Sequence, residues 1–339
     1  MNQRSFLASA VGALALPGHV GKWTDGELSS SAKGVTVQVP FYFVDVFAEQ
    51  PLTGNPLSIV PDAQTLDEPT MKRIAGELNQ AETTFLSPSD KADWRLRSFT
   101  APGHEVFGAG HNSLGAWWWL ADSGRLKLKD GSNRFTQEIG DRLLPVEVRC
   151  EGERPVAVVL TQSPPVYGNV LKDVSELAVA LGLEKSDINV ERLPAQVVST
   201  GAGHLLVPVR NRKMVESLRP DAQHLAKVLR EIGGEGCYVF SLDPVSSTST
   251  AHARFFNPTV GIVEDAATGT AAGPLASQLV RHGIAKEGEI LTIEQGFEMK
   301  RPSLLRLKVR GDVVKLSGRG IQVIEGRIRL PLYCFRYLE

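Results

Sequence analysis

The stretch of chain that most constrains the fold runs from residue 263 to residue 276, where an acidic turn leads directly into a helix of small residues. Behind the turn, leucines recur at helical spacing and predict one apolar face. Gly269 and Thr270 fall in the first helical turn, where free backbone N–H groups and the positive end of the helix dipole favour a bound anion. The segment therefore predicts either an anion site with Asp265 as a polar ligand beside it, or an ordinary helix start capped by Asp265.

A second stretch of the same design, residues 105–120, lies about half a chain earlier. Gly108 and Gly110 again lead into a helix, and His111 stands at the predicted helix start. Two helix starts of matched design predict two similar halves whose helix ends face one central cleft. The three consecutive tryptophans at 117–119 cannot share one helix face, so we predict that they pack on more than one side.

Most of the remaining chain shows the alternation, the β-branched residues and the turn residues that are typical of strands. Helical spacing recurs in only a few further segments, one of which follows Thr65, where the sequence Thr-Leu-Asp-Glu predicts a capping box. Helices are too few for strict alternation with strands. We therefore predict an α+β fold in which each half is a strongly bent sheet or barrel wrapped around a central helix. The sequence has neither a dinucleotide-binding glycine pattern nor a phosphate-binding loop pattern, so nothing calls for a nucleotide.

Glu82 begins a predicted strand among small and apolar neighbours, in the sequence Gln-Ala-Glu-Thr-Thr-Phe-Leu. A carboxyl group in a dry site has a raised pKa, close to the range in which it can both take and give a proton. Glu82 is therefore a candidate general base. The alternative is a solvated glutamate at the end of a strand.

The charge and cysteine patterns exclude several classes of function. The 339-residue chain has 37 basic and 38 acidic residues and no basic stripe, which argues against nucleic acid as a partner. Its three cysteines and seven histidines are dispersed without metal-ligand spacing, so we predict no metal site. Cys150 and Cys237 lie in apolar, strand-like surroundings and are predicted to be buried, unreactive thiols.

The first 40 residues have a different pattern. One positive side chain precedes a short apolar run at 6–16, which is too short to span a bilayer and close in length to a signal-peptide core. No cleavage site is well defined, and the odd cysteine count favours a reducing compartment. We predict a cytoplasmic protein in which residues 1–40 are an N-terminal extension or signal-like segment, with export as the alternative. The folded body then divides into a first half, 41–160, and a second half, 161–339, whose final strands can return to the first half.

Eight short segments together carry a resemblance to a known family. They are Asp45-Val-Phe, Pro51-Leu-Thr-Gly-Asn-Pro56, Glu77-Leu-Asn, Glu82-Thr-Thr-Phe85, Gly110-His111, Glu264-Asp-Ala-Ala-Thr-Gly-Thr270, Gln295-Gly296 with Met299, and Arg301-Pro-Ser303. In order and spacing they resemble the phenazine-biosynthesis isomerase (PhzF-like) family of the diaminopimelate epimerase-like superfamily. The resemblance covers roughly residues 41–328, nearly the whole body.

The resemblance implies the diaminopimelate epimerase-like fold: two pseudo-symmetric β-barrel-like halves, each around a central helix, with the active site in the cleft between them. It implies that Glu82 is the acid/base residue, which moves a proton from one carbon of a small cyclic amino-diene carboxylate to another. His111 and Asp265 then bind the substrate and position its groups. The backbone N–H groups of Gly269 and Thr270 bind the substrate carboxylate.

The same resemblance includes Gly110 in the substrate-binding set, next to His111. It implies that the protein forms homodimers and uses no cofactor. The predicted partners are thus a small-molecule carboxylate substrate and a second copy of the chain, with no nucleic acid and no membrane span.

The sequence also departs from the family pattern. Thr270 stands where serine is common, Ala266 replaces a frequent proline, and Asn112 follows the histidine where a small residue is usual. Related racemases and epimerases of this fold use two cysteines at the helix starts. Here those places hold Gly110 and residues 268–270, so a two-thiol racemase is not expected.

The leading function is a cofactor-independent isomerase that moves a proton within a small unsaturated or cyclic amino carboxylate, of the dihydro-hydroxyanthranilate type. Two alternatives stay open. The same acid/base site can serve elimination, hydrolysis or another proton-transfer reaction on a different substrate. The fold can also serve as a non-catalytic small-molecule binding protein. Specificity depends on pocket-lining side chains that a single sequence does not identify.

Overall fold

The computed structural model describes residues 36–331, so the apolar run at 6–16 and Cys334 lie outside the described residues, whereas residues 36–40, predicted as the end of the N-terminal extension, belong to the first strand. The described part is built mainly of strands, with six α-helices. In chain order the helices are α1 (Glu68–Leu78), α2 (His111–Asp122), α3 (Ser175–Leu181), α4 (Arg212–Ser217), α5 (Ala222–Ile232) and α6 (Gly269–Arg281). Within residues 36–331 no helix is long and apolar enough to cross a membrane.

Eighteen strands accompany these helices in the described part of the chain. The first eight are β1 (Thr36–Val46), β2 (Asn55–Val60), β3 (Glu82–Ser87), β4 (Trp94–Phe99), β5 (Glu105–Val106), β6 (Gly131–Ile139), β7 (Arg142–Glu151) and β8 (Arg154–Gln162). The others are β9 (Val166–Val170), β10 (Gln196–Ser199), β11 (Gly203–Pro208), β12 (Gly236–Ser241), β13 (Ala251–Asn257), β14 (Ile262–Asp265), β15 (Ile290–Gln295), β16 (Ser303–Arg310), β17 (Val313–Gly318) and β18 (Gly320–Pro331).

The first half of the fold wraps a bent sheet around α2. β1 pairs antiparallel with β2, β2 parallel with β3, β3 antiparallel with β4, and β4 parallel with β6. β6, β7 and β8 then follow as antiparallel neighbours, and α2 contacts strands from both ends of the sheet. All three tryptophans of α2 are buried; Trp117 stacks on Phe135, whereas Trp119 packs against Tyr42. The predicted packing on more than one side is confirmed.

The same order of strand pairings recurs from β10 onward. β10 pairs antiparallel with β11, β11 parallel with β12, β12 antiparallel with β13, and β13 parallel with β15. β15, β16 and β17 are again antiparallel neighbours, and α6 packs against β10, β11, β16 and β17. The two halves join edge to edge where β8 pairs with β17. The predicted α+β architecture, with two similar halves around two central helices, is confirmed.

The last strand of each repeat pairs with the other half. β9 follows β8 in the chain but pairs with β10, and β18 follows β17 but pairs with β1 along its whole length. β8 itself spans residue 160 and pairs with strands of both halves. The division into separate domains at residue 160 therefore stays a prediction.

The start of α1 differs from the predicted capping box. The helix begins at Glu68, and Asp67 rather than Thr65 is its N-cap, with a side chain that accepts a hydrogen bond from the N–H of Thr70 at 2.8 Å. Pro69 explains the difference. It lies in the first helical turn, where its missing N–H is not needed, whereas a helix capped by Thr65 would lose its first internal hydrogen bond at this proline.

Gly115 allows α2 to approach the sheet closely. A Cβ at this position would lie 2.6 Å from Val46 Cγ2 and 2.7 Å from Leu57 Cδ2, and both of these side chains are fully buried. We expect Gly115→Ala to lower the free energy of unfolding by about 1–3 kcal/mol, because the overpacked core must shift. Gly76→Ala, on the exposed face of α1, is the control and should change the free energy of unfolding by less than about 1 kcal/mol, because the gain in helix propensity is opposed by a Cβ contact of 3.3 Å with the carbonyl oxygen of Ala101. Urea denaturation measures both changes, and effects of the same sign and size would contradict the close approach.

Candidate active site

A cavity of about 520 Å³ lies between the two halves, where the N-terminal ends of α2 and α6 meet. The predicted site residues all line this cavity, although no geometry by itself assigns their roles. They are Glu82, Gly110, His111, Asp265, Gly269 and Thr270. Within residues 36–331 no group of three or more His, Cys, Asp or Glu side chains is arranged to hold a metal ion.

Asp265 reaches the cavity from a strand. Residues Ile262–Asp265 form β14, which pairs antiparallel with β13, so the predicted acidic turn is wrong; the β-branched pair Ile-Val favours the extended backbone. The N-cap of α6 is Thr268, whose side chain makes no capping hydrogen bond. Its hydroxyl instead donates to Asp265 Oδ2, and Asn55 Nδ2 donates to Oδ1 at 2.8 Å. Asp265 is therefore a carboxylate with a donor on each oxygen, and it does not cap the helix.

The start of α6 offers backbone donors to the cavity. Gly269 and Thr270 are its first two residues, and the N–H groups of a first helical turn have no acceptor within the helix. Gln162 of β8 holds this turn in place, because its Nε2 donates to the carbonyl of Gly269 at 2.8 Å while its Oε1 accepts from Thr200 at 2.9 Å. The two first-turn amides are thus suited to an anion such as a carboxylate.

Glu82 is the first residue of β3, and its Oε2 is buried without a hydrogen-bond partner among the described residues. Burial, and to a lesser extent the negative charge of Asp265, raises the pKa of Glu82 to about 8. Burial also raises the pKa of Asp265 to about 6, although the hydrogen bonds from Thr268 and Asn55 oppose this shift. The pair therefore holds one proton near neutral pH. We assign it to Glu82, because both Asp265 oxygens already accept hydrogen bonds.

His111 opens α2 as its first residue, and it is buried with no partner for Nε2 among the described residues. Burial lowers the pKa of His111 to about 4, so the ring is neutral. The glycine turn before His111 is held by Asn112, one of the departures from the family pattern. Asn112 Oδ1 accepts from the N–H of Gly110 at 2.8 Å, and its Nδ2 donates to the carbonyl of Gly108 at 3.0 Å. The side chain of Asn112 thus fixes the glycine turn and occupies the N–H of Gly110.

His204 also lines the cavity, and it is absent from the residues predicted from the sequence. It lies on β11, buried, with the ring of Phe255 edge-on to it, and its Nε2 is 3.2 Å from Thr270 Oγ1. Burial lowers the pKa of His204 to about 4, so this ring is also neutral. The one local signal was a histidine directly after a glycine-rich turn, which does not distinguish a site residue from a core residue.

The buried carboxyl group of Glu82 makes the stability of the protein depend on pH. Its pKa in the folded protein is raised above the ordinary value of 4.5, so its stabilising contribution is full below pH 4.5 and is lost as the pH rises through about 8. We expect Glu82→Gln, which cannot ionise, to gain stability relative to the wild type by up to a few kcal/mol between about pH 5 and about pH 9. Urea unfolding at each pH measures the difference, and the exposed Glu77→Gln is the control. A difference that does not change with pH would mean that Glu82 ionises at its ordinary pKa.

Comparison with known proteins places these observations in a family. The model of a family described as phenazine biosynthesis-like protein matches residues 44–326. An uncharacterized isomerase of Clostridium acetobutylicum is 32% identical over 301 residues, covering 85% of this chain and 97% of that protein. The trans-2,3-dihydro-3-hydroxyanthranilate isomerase of Pseudomonas chlororaphis is 33% identical over 300 residues, covering 86% of this chain and 99% of that protein.

A solved structure gives the same result at the level of the fold. The Bacillus anthracis phenazine biosynthesis protein of the PhzF family has a TM-score of 0.79 at 28% identity, covering 86% of this chain and 99% of that chain. The family match includes both central helices and every cavity residue described above. Both relatives compared by sequence are named isomerases. The chain therefore belongs to the phenazine biosynthesis-like protein family, has the diaminopimelate epimerase-like fold, and is an enzyme of the isomerase class.

Proposed function

We propose that this isomerase moves a proton within a small unsaturated or cyclic amino carboxylate, without a cofactor, and that Glu82 carries the proton. The observation that most supports this proposal is Oε2 of Glu82, which is buried without a partner among the described residues, in a cavity that two helix N-termini line. The relative from Pseudomonas chlororaphis is named for trans-2,3-dihydro-3-hydroxyanthranilate, which supports a substrate of this chemical kind.

The substrate carboxylate binds at the start of α6 in this proposal. The N–H groups of Gly269 and Thr270 and the positive end of the helix dipole attract it. His204 makes the hydroxyl group of Thr270 available as a further donor. Its Nδ1 has no partner among the described residues, and an unpaired lone pair costs less than an unpaired N–H, so we assign the ring proton to Nε2. The Nε2–H then donates to Thr270 Oγ1, which leaves the hydroxyl hydrogen of Thr270 free to donate to the substrate.

The other polar groups of the substrate bind on the Asp265 side of the cavity. Asp265 is ionised at neutral pH, and its negative charge attracts the amino group of the substrate. The neutral ring of His111 has a free Nε2 and makes one hydrogen bond to a ring substituent or to the substrate carboxylate. The second half thus supplies the contacts to the carboxylate and the amino group, through α6 and Asp265, and the first half supplies His111 and the proton carrier Glu82.

The proton moves in two steps. The Glu82 carboxylate takes a proton from one carbon, and the electron pair of the broken C–H bond enters the conjugated system, where a double bond shifts. The Glu82 carboxylic acid then returns the same proton to the carbon at the other end of that system, and the carboxylate is restored. A pKa of about 8 leaves about a tenth of Glu82 ionised at pH 7, so both transfers have an accessible starting state. The deuterium content of a product formed in heavy water measures how far this proton exchanges with solvent during the transfer.

Two further proposals do not depend on the cavity. The protein forms homodimers, a proposal that rests on the family resemblance, and it acts in the cytoplasm.

The two cysteines within residues 36–331, Cys150 and Cys237, are both free and buried, as predicted for inert thiols. Burial raises the pKa of each thiol, which keeps it protonated.

Proton NMR in heavy water tests the role of Glu82. We expect the wild-type protein, mixed with dihydro-hydroxyanthranilate-type substrates and simpler unsaturated amino acids, to shift a double bond or to place deuterium at a single carbon. Glu82→Gln should slow this reaction by at least about 100-fold and keep the fold and the ligand affinity, because only the proton carrier is lost. Glu77→Gln, an exposed glutamate on α1, should retain the wild-type rate.

The outcomes separate the proposal from its alternatives. Full activity of Glu82→Gln would exclude Glu82 as the proton carrier. A product that has lost water or ammonia would favour elimination. Ligand-induced thermal stabilisation with no reaction of any compound would favour a binding protein.

Substitutions of Thr270 distinguish what its hydroxyl group contributes to carboxylate binding from what the backbone N–H groups contribute. We expect Thr270→Val, which keeps the shape and removes the hydroxyl, to weaken binding of a substrate carboxylate by about 10- to 100-fold, as for loss of a hydrogen bond to a charged group. Thr270→Ser keeps the hydroxyl and should stay within about threefold of the wild type. Isothermal titration calorimetry on both variants measures the affinities. Equal affinities of the valine and serine variants would show that the hydroxyl does not contact the ligand.

A further inference from the structure

Gln295 lies fully buried at the end of β15, directly behind the segment that joins Asp265 to α6. Its Nε2 donates to the backbone carbonyl of Asp265 at 2.8 Å and to Thr268 Oγ1 at 3.0 Å. Its Oε1 accepts from the N–H of Thr268 at 3.1 Å and from the hydroxyl of Tyr238 at 3.0 Å. These four hydrogen bonds use the full capacity of the amide, and three of them hold the same short segment.

The orientation of this amide follows from its backbone partners. A flipped amide would face the N–H of Thr268 with its own N–H groups and the carbonyl of Asp265 with its own carbonyl, so both bonds would be lost. The amide nitrogen therefore donates to Thr268 Oγ1. Because that hydroxyl oxygen accepts from Gln295, its own hydrogen goes to Asp265 Oδ2. A single direction of hydrogen bonding thus runs from Gln295 through Thr268 to the carboxylate.

The strand end that carries Gln295 is itself firmly held. The preceding residue, Glu294, is fully buried and accepts from the N–H groups of Val245 and Ser246 at 2.7 and 2.8 Å. His252 lies between two carboxylates, 3.2 Å from Glu294 and 2.8 Å from Glu298. These contacts fix the backbone on both sides of Gln295, so its amide forms a rigid support behind the cavity wall.

We propose that Gln295 is a positioning residue, which acts through the hydroxyl of Thr268 to aim the Asp265 carboxylate at the amino group of the substrate. The proposal rests on the proposed function in one respect, namely that Asp265 contacts the substrate. Asn55 holds the other carboxylate oxygen from the opposite half of the fold. Gln295 and Asn55 therefore fix the plane of the carboxylate from two sides.

Three variants separate positioning from general stability. Gln295→Met has a similar volume and removes all four hydrogen bonds. Thr268→Val removes the connecting hydroxyl and leaves the bonds of Gln295 to the backbone. Gln278→Met is the matched control, because Gln278 is a fully buried glutamine of α6 that donates one hydrogen bond to the carbonyl of Pro194 at 3.1 Å. All three are expected to lower stability in urea denaturation.

We expect only Gln295→Met and Thr268→Val to weaken substrate binding. Gln295→Met and Thr268→Val should each raise KM by about 10-fold, and the double variant should be no worse than either alone, because both changes break the same path. Gln278→Met should leave KM within twofold. If Gln295→Met does not fold, Thr268→Val carries the test. KM and kcat within twofold of the wild type for Thr268→Val, or an equal rise in KM for Gln278→Met, would overturn the proposal.

A binding measurement keeps this test distinct from the test of isomerisation. The probe is 3-hydroxyanthranilate, an aromatic amino carboxylate, titrated by calorimetry into proteins that also carry Glu82→Gln and so need no turnover. Weaker binding by about 10-fold with Gln295→Met, and unchanged binding with Gln278→Met, would support positioning even if the wild-type protein isomerised nothing. Unchanged binding in all variants would overturn the role of Gln295 and leave the role of Glu82 intact. Failure of the Glu82→Gln protein, without any further substitution, to bind 3-hydroxyanthranilate would also overturn the proposed role of Gln295. The Asp265 carboxylate would then have no ligand of this class to bind.

Discussion

An ion pair between a buried aspartate and a half-buried arginine, from opposite ends of the described chain, supports the candidate site. Arg301 Nη2 lies 2.6 Å from Asp45 Oδ1, and Asp45 is only 2% exposed. Arg301 also donates to the carbonyl groups of residues 53–54 at 2.7 Å, so two bonds from one guanidinium group fix the turn that leads into Asn55. Asn55 in turn donates to Asp265 of the other half. Loss of Arg301 would leave the buried carboxylate of Asp45 uncompensated and would release this turn. The geometry of the cavity thus depends on two charged residues that do not line it.

The repeated strand pairings also reveal an asymmetry between the halves. Glu82 begins β3 opposite Leu57 of β2, and Gly236 begins β12 opposite His204 of β11, so Glu82 and Gly236 occupy equivalent positions. A Cβ at Gly236 would lie 2.5 Å from the ring of Phe255, which leaves no room for a side chain. Only the first half can therefore supply a carboxyl group at this position of the repeated strand pairing. A single carrier suits a proton that leaves and returns on one face of a molecule, whereas inversion at a carbon requires groups on two faces.

Local sequence was sufficient for some parts of the site and insufficient for others. The helix starts were predictable because a glycine turn and an apolar face involve only adjacent residues. Glu82 was expected from a predicted strand start and the family resemblance, and Asp265 from that resemblance and a predicted turn that is a strand in the structure. His204 and Gln295 were not predicted as site residues. Their contacts cross 66 and 30 residues of chain and depend on which strands pair, so no local pattern indicates those contacts, although Gln295 lies in one of the segments that carry the family resemblance. The start of α1 shows the reverse case, because Pro69 is a local signal that decides between two possible caps.

The exchange of closing strands affects the order in which the molecule can be completed. β1 is the first described strand to leave the ribosome, yet the strand that covers its edge, β18, is the last. Until synthesis ends, the first half has an open edge with unpaired backbone groups, which is a template for pairing with another chain. Contacts between such distant segments also slow folding. Co-translational folding can therefore build the interior of the first half early, but it cannot seal it. The cavity between the halves is one of the last features of the molecule to form.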